Sequence, residues 1–202
     1  MWFTSSKTAA DVLGLLADIV HLFQAGEDAL ARLRIFEASL NWARMAAAAG
    51  PRLRYFCPMG RGEDDNGGLW WMTFNDETYC HDVLSLCDGQ NVFAGKKRQT
   101  PSEAELGRIS SERTGIGDQR YPHVTPKEVQ KMSPEMILIP DEPYAFDEEV
   151  TAEFTAALGD APAVQSGRIV RIDGRDITWK GTRAFRALAR LPALFQVDEG
   201  LI

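Results

Sequence analysis

An α/β fold built on a parallel sheet is what the order of elements in this sequence predicts. Three observations carry the prediction. Short β-type apolar runs stand at Leu53–Cys57, Met136–Ile139 and Arg168–Ile172, helical apolar periodicity fills the spaces between and after them, and a long Ala-, Leu- and Arg-rich helix precedes the first run. Strands separated by helices pair in parallel, because each helical crossover carries the chain back to run in the same direction.

The elements follow in order. Val12, Leu15, Leu16, Ile19, Leu22 and Phe23 recur at helical spacing, and Thr8 with Asp11 three residues later is a capping arrangement. Gly26 interrupts. A second stripe, Ala29, Leu33, Phe36, Leu40, Ala43 and Ala47, predicts a helix over 25–49 that stops at Gly50-Pro51. At 1.5 Å per residue it is about 37 Å long, enough to span two lobes or to lie across one core. After the strand at Leu53–Cys57 comes a Gly- and acid-rich loop from Met59 to Gly68, then a helix over 77–87. Residues 95–120, with Pro101, Gly107, Gly115 and Gly117, read as a polar surface excursion. A short helix follows Thr125, with Pro126 suited to its first position. Met136–Ile139 is a compact apolar run closed by Pro140, as a buried strand requires. A helix over 147–158, the strand ending at Asp173-Gly174 and a last helix over 181–191 complete the chain, and no internal repeat is present.

Composition narrows the function. Apolar residues are 45% and charged residues 25% of the 202, enough for a core without disulfide or metal staples. The net charge of −7 excludes a nucleic-acid phosphate binder, and Lys96-Lys97-Arg98 reads as a solvated loop. Three cysteines, Cys57, Cys80 and Cys87, do not make a disulfide framework. Cys80 and Cys87 lie seven apart beside His81 and Asp82, which is not zinc spacing, so buried thiols and no metal or cofactor are expected. Met1-Trp2-Phe3-Thr4 runs directly into a helical pattern with no signal-peptide layout, and no apolar run reaches the ~18 residues that span a bilayer. The expectation is a soluble chain without an export address and without membrane insertion.

Catalytic signatures are missing: no GxSxG elbow, no GxxxxGK[ST] loop and no HExxH pair. Gly115-Ile116-Gly117 starts a dinucleotide-like pattern, but Arg120 takes the place of the third glycine. His21, His81 and His123 are too scattered to define a triad. Asp64-Asp65, Asp141-Glu142 and Glu148-Glu149 suit solvated loops and helix N-termini better than acid–base work. The chain is therefore expected not to be an enzyme. What remains is a set of aromatics beside loops: Trp70-Trp71-Met72 after a glycine pair, Tyr121 before a helix, Tyr144 and Phe146 after one strand, and Trp179 after another. In an open parallel sheet, ligands bind outside the carboxyl ends of the strands, and flat side chains there suit a bulky, partly apolar ligand. The alternative is that they cap the core. The binding expectation requires Trp71, Tyr121 and Trp179 to share one rim.

Those segments also carry a resemblance. Gly68-Leu69-Trp70-Trp71-Met72-Thr73, Glu77-Thr78-Tyr79-Cys80-His81-Asp82-Val83-Leu84 and Gly89-Gln90-Asn91-Val92-Phe93 resemble the second-lobe entry of the helical-backbone metal receptors. So do Arg120-Tyr121-Pro122-His123-Val124-Thr125, Pro134-Glu135-Met136-Ile137-Leu138-Ile139-Pro140, Asp141-Glu142-Pro143-Tyr144, and Asp173-Gly174 with Trp179 and Gly181-Thr182-Arg183. This family, the class III periplasmic substrate-binding proteins, serves ABC importers of corrinoids, haem and iron–siderophores, holding ligand between two α/β lobes joined by one long helix. The resemblance implies residues 1–24 as a remnant of the N-terminal lobe, 25–49 as the backbone helix and 50–202 as the C-terminal lobe. It implies a corrinoid first, and haem or a siderophore next, held by Trp70, Trp71, Met72, Tyr121, Tyr144, Phe146 and Trp179, with an ABC permease as partner and a periplasmic location. Three departures stand out. Trp2-Phe3 would be strand residues without the rest of that lobe's sheet, and 95–120 is longer than the family's link. The family's docking glutamate also falls at Lys127, with Glu128 adjacent. The alternative is a cytoplasmic interaction module or remnant of the family, which dimerises through the face left by the missing lobe or binds a protein partner.

Overall fold

The computed structural model describes residues 6–48, 51–64, 66–99 and 118–196. It forms two compact units, a helical one drawn from 1–54, 78–90 and 173–202, and a sheet one drawn from 55–77 and 91–172. The chain passes from one to the other within its first and fourth strands. Among the described residues no helix is long and apolar enough to cross a membrane.

In the helical unit, α1 (Ala9–Leu22) starts at the expected cap. Asp11 N–H donates to Thr8 Oγ1 at 3.0 Å, and the Asp11 carboxylate accepts from the Thr8 and Lys7 amides, which holds it below the usual carboxylate range. The Ala9 amide donates to Asp82 of α3 (Tyr79–Ser85) at 2.7 Å, tying the two helix starts together. Ala9 and Val12 of α1 are buried, Leu15 and Leu16 are half-buried, and Ile19, Leu22 and Phe23 face solvent, so cover over the predicted apolar stripe fades toward its C-terminal end. α2 (Glu27–Ala47) buries Phe36, Leu40, Ala43 and Ala47, the stripe that its spacing predicts. The final helix of the sequence is split by Leu191-Pro192 into α8 (Arg183–Arg190) and α9 (Pro192–Phe195), after a short α7 (Arg175–Thr178). α8 buries Ala184, Ala187 and Leu188, while Arg186 and Arg190 reach Asp176 and Arg175 and Arg186 reach Asp173.

A parallel sheet has the order β4-β1-β6-β7: β1 (Leu53–Phe56), β4 (Gly89–Asn91), β6 (Met136–Pro140) and β7 (Ile169–Ile172). β6 pairs in parallel with β1 (Phe56 opposite Ile137) and with β7 (Leu138 opposite Val170), and all five of its residues are buried, as a central strand demands. The parallel α/β class that the sequence predicts is thus the observed one. Its helices are α4 (Pro126–Met132), α5 (Val150–Leu158) and α6 (Pro162–Gln165).

A second sheet was not foreseen. β2 (Gly60–Glu63), β3 (Leu69–Met72) and β5 (His123–Val124) form an antiparallel sheet of order β2-β3-β5, with β2 inside the 59–68 stretch expected to be loop. Its hairpin turn is built on Asp64, whose Oδ1 accepts from the Asn66 and Gly68 amides, both at 2.8 Å, with Gly67 at φ +75°. β2 reads Gly-Arg-Gly-Glu, a composition with no β propensity, and the reason lies in the face it shares with β3. The Trp2-Phe3 strand, the Gly115-Gly117 pattern and most of the 95–120 excursion fall outside the described residues.

Candidate functional site

Side chains alternate across a strand, so Trp70 and Met72 share one face of β3 and Trp71 points to the other. Trp71 is fully buried. Its ring stacks on Phe154 at 4.7 Å, tilts against Phe56 at 5.8 Å, and its Nε1 donates to Glu153, which also accepts from Arg61 at 2.7 Å. The expectation that Trp71 lies on a ligand rim is corrected on this point, because the apolar core beneath the antiparallel sheet consumes the ring. Phe146 is corrected likewise: it is buried in the same core with Phe56, Phe154 and Ile139.

Trp70 and Met72 are half-buried on the outer face. The Trp70 indole lies parallel to the His123 imidazole, centroids 4.0 Å apart and planes 13° apart. Register explains the pairing: Met72 stands opposite His123, and Trp70 opposite Gly62. A Cβ at Gly62 would stand 2.2 Å from Trp70 Cζ2, so the indole occupies the space that a side chain there would fill. Met72 similarly covers Gly60, whose Cβ would meet Met72 Cε at 3.4 Å. Two alternate glycines on β2 make a floor, two aromatic rings and a thioether lie on it, and the face is flat and polarizable. Burial, and after it the Arg98 charge, hold the His123 ring below the ordinary histidine value. The ring is neutral at neutral pH.

β3–β5 pairing continues past the strands. Thr73 N–H donates to Pro122 O at 3.0 Å and Asn75 N–H to Arg120 O at 2.9 Å, which sets Tyr121 two residues from His123 on the same edge. The Arg120 guanidinium sits 5.9 Å from the Tyr121 ring and is clamped by Asp118 at 2.8 and 2.6 Å, which lowers the Asp118 pKa. Tyr144 is exposed with its edge on Phe146 at 4.7 Å. Trp179 belongs to the helical unit, exposed, with the Arg183 guanidinium 5.0 Å from its ring. Of the seven predicted residues, Trp70 and Met72 share the outer face and Tyr121 borders it.

His123 was not among the predicted ligand residues. The signal that could have found it is the Gly-x-Gly of β2 opposite a tryptophan pair: alternate glycines in a strand make room for rings on one face. Glu128, beside the position of the family's docking glutamate, closes a capping box with Thr125 and pairs with Lys96. Cys57, Cys80 and Cys87 are buried free thiols, Cys80 and Cys87 pushed up to about 12 by burial. Among the described residues no three His, Cys, Asp or Glu side chains cluster to hold a metal ion.

No family model and no curated protein sequence matches the chain. Solved structures do. The periplasmic vitamin B12 binding protein BtuF of Vibrio cholerae superposes with a TM-score of 0.65 at 18% identity, over 96% of this chain and 63% of that one. IsdE of S. aureus, solved with heme, gives 0.64 at 16% identity over 97% and 68%. The chain has the class III periplasmic-binding-protein fold. The periplasmic heme-binding protein RhuT from Roseiflexus sp. RS-1 shares this class III fold, at a TM-score of 0.62 and 17% identity over 93% and 63%. The chain therefore spans about two thirds of the length of these proteins.

Proposed function

We propose that the protein is a non-catalytic receptor for a metal chelate, a corrinoid first and haem or a ferric siderophore next, that serves an ABC importer. The observation that carries this reading is the Trp70–His123 stack with Met72 on a glycine floor. A planar macrocycle brings its own metal ligands, so its receptor needs flat, polarizable contact area and not a metal cage. An uncharged imidazole in the stack adds π surface without a cation that would hold water against the face. Tyr121, bordering the face, extends the surface available to the ligand edge. Support also comes from the fold: BtuF binds vitamin B12, and IsdE was solved with heme. On this reading the partner is an ABC permease and the working compartment is that of BtuF and RhuT, the periplasm.

The test is a titration of the chain with haemin, cyanocobalamin and ferrichrome, read by tryptophan emission. Saturable quenching by at least one chelate, reduced severalfold in Trp70→Ala, is expected. Quenching that stays linear with all three, as inner-filter absorption gives, would remove the proposal.

A further inference from the structure

Charge is unevenly shared between the two units. The helical unit carries eleven Lys and Arg against eleven Asp and Glu, and the sheet unit eleven against eighteen. The whole net charge of −7 therefore belongs to the unit that holds the Trp70–His123 face. Two stretches concentrate it: residues 63–65 and 141–149 hold eight carboxylates and no cation. The first contains the start of the turn between the glycine floor and the strand of Trp70, so the exposed Asp64 stands at the end of the face. The face itself is free of charge. Gly60 and Gly62 stand opposite Met72 and Trp70, whereas Arg61 and Glu63 stand opposite Trp71 and Leu69. Both charges of β2 thus fall on the other side of the sheet, where Arg61 bonds Glu153. Along the Tyr121 border the described cations are already engaged. Arg120 is clamped by Asp118, Lys97 pairs with Glu77 at 3.4 Å and Lys96 with Glu128. Arg98, whose charge reaches His123, is buried.

We propose, resting on the chelate reading above, that this face sorts chelates by charge. It takes uncharged or cationic ones, such as corrinoids fringed with amides and cationic hydroxamate complexes of iron. It turns away anionic ones, such as haem with its two propionates and ferric catecholates. All of these bring apolar surface that an indole and a thioether accept, so contact area alone does not separate them. Charge does. A carboxylate or catecholate brought to this face leaves water for a surface whose neighbouring cations are paired or buried. It also enters the field of a unit in which carboxylates outnumber cations, and that field lowers both the encounter rate and the affinity of an anion. An amide-fringed or hydroxamate chelate meets neither penalty. A cationic one gains from the same field.

Pairs of probes that share a metal-binding framework and differ in charge test this on the full chain. They are cyanocobalamin and its monocarboxylic acid, ferrioxamine B and its N-succinyl derivative, and haemin dimethyl ester and haemin. Each is titrated at neutral pH and read by tryptophan emission, at about 20 and about 500 mM NaCl, where screening lengths differ several-fold. In any pair that binds, the uncharged or cationic member is expected to bind about tenfold tighter at low salt. High salt should narrow that gap severalfold, because screening removes the repulsion felt by the anion. An anionic member that binds as tightly as its partner at low salt, or a gap indifferent to salt, overturns the inference and leaves the receptor reading intact. No saturable quenching by any probe removes the receptor reading, and this inference with it.

Discussion

Gly62 decides whether the proposed binding face exists. Its missing side chain is the space that the Trp70 indole fills, so Gly62→Ala must displace the ring from its stack on His123. Overpacking of this kind costs about 1–3 kcal/mol and should abolish most chelate-induced quenching, as urea titration and emission together would report. The two tryptophans of β3 separate structure from binding. Trp71→Ala empties the centre of the core and should cost roughly 3–5 kcal/mol, whereas Trp70→Ala, on the outer face, should cost under about 2 kcal/mol while removing the ligand response. Equal losses of stability would contradict the division. His123 gives the face a pH signature. Its value is lowered in the folded state by burial, so the unfolded chain, near 6.5, takes up the proton first. This group's stabilising share is complete above 6.5 and is lost as pH falls through its lower folded value. The native protein should therefore lose stability relative to His123→Gln between pH 7 and 5, a difference that matched urea titrations measure.

At the scale of elements, what was legible in the sequence is what local chemistry specifies. α4 is the clearest case. Thr125 Oγ1 accepts from the Glu128 amide, Glu128 accepts from the Thr125 amide at 2.8 Å, and Pro126 fills the first turn. Thr125→Ala should cost about 1 kcal/mol in thermal or urea unfolding, and no change would show that the box contributes nothing. The cap of α1, the buried stripe of α2 and the central strand β6 were readable for the same reason, a signal contained within a few residues. The antiparallel sheet was not. Its strands are four, four and two residues long, and β2 is half glycine and half charged, so neither propensity nor alternation marks it. Its existence depends on a partner strand at residues 123–124, more than fifty positions away. The proposed ligand face was half legible. Trp70 and Met72 were picked as aromatic and thioether groups near a loop, but once residues 69–72 form a strand, Trp71 must point to the opposite face. The exposed end of α1 was equally hidden, because a periodic stripe states which residues are apolar and not whether anything covers them.

At the scale of the molecule, sequence and architecture have parted company. Identity to BtuF, IsdE and RhuT lies between 16% and 18%, while the backbone superposes with TM-scores of 0.62 to 0.65. Such a fold persists while side chains change because the buried, apolar strand β6 and its neighbours constrain the backbone more than they constrain residue identity. The ligand must then be argued from the side chains of this chain, and those of the outer sheet face are planar, polarizable and uncharged. The most direct measurement is the tryptophan indole region of a nitrogen–proton correlation spectrum, with the five indole signals assigned by single Trp→Phe variants, recorded as haemin or cyanocobalamin is added. The account predicts that the Trp70 signal moves or broadens first and furthest while that of Trp42 stays in place. A bound chelate that leaves Trp70 unmoved and perturbs another indole instead would contradict it.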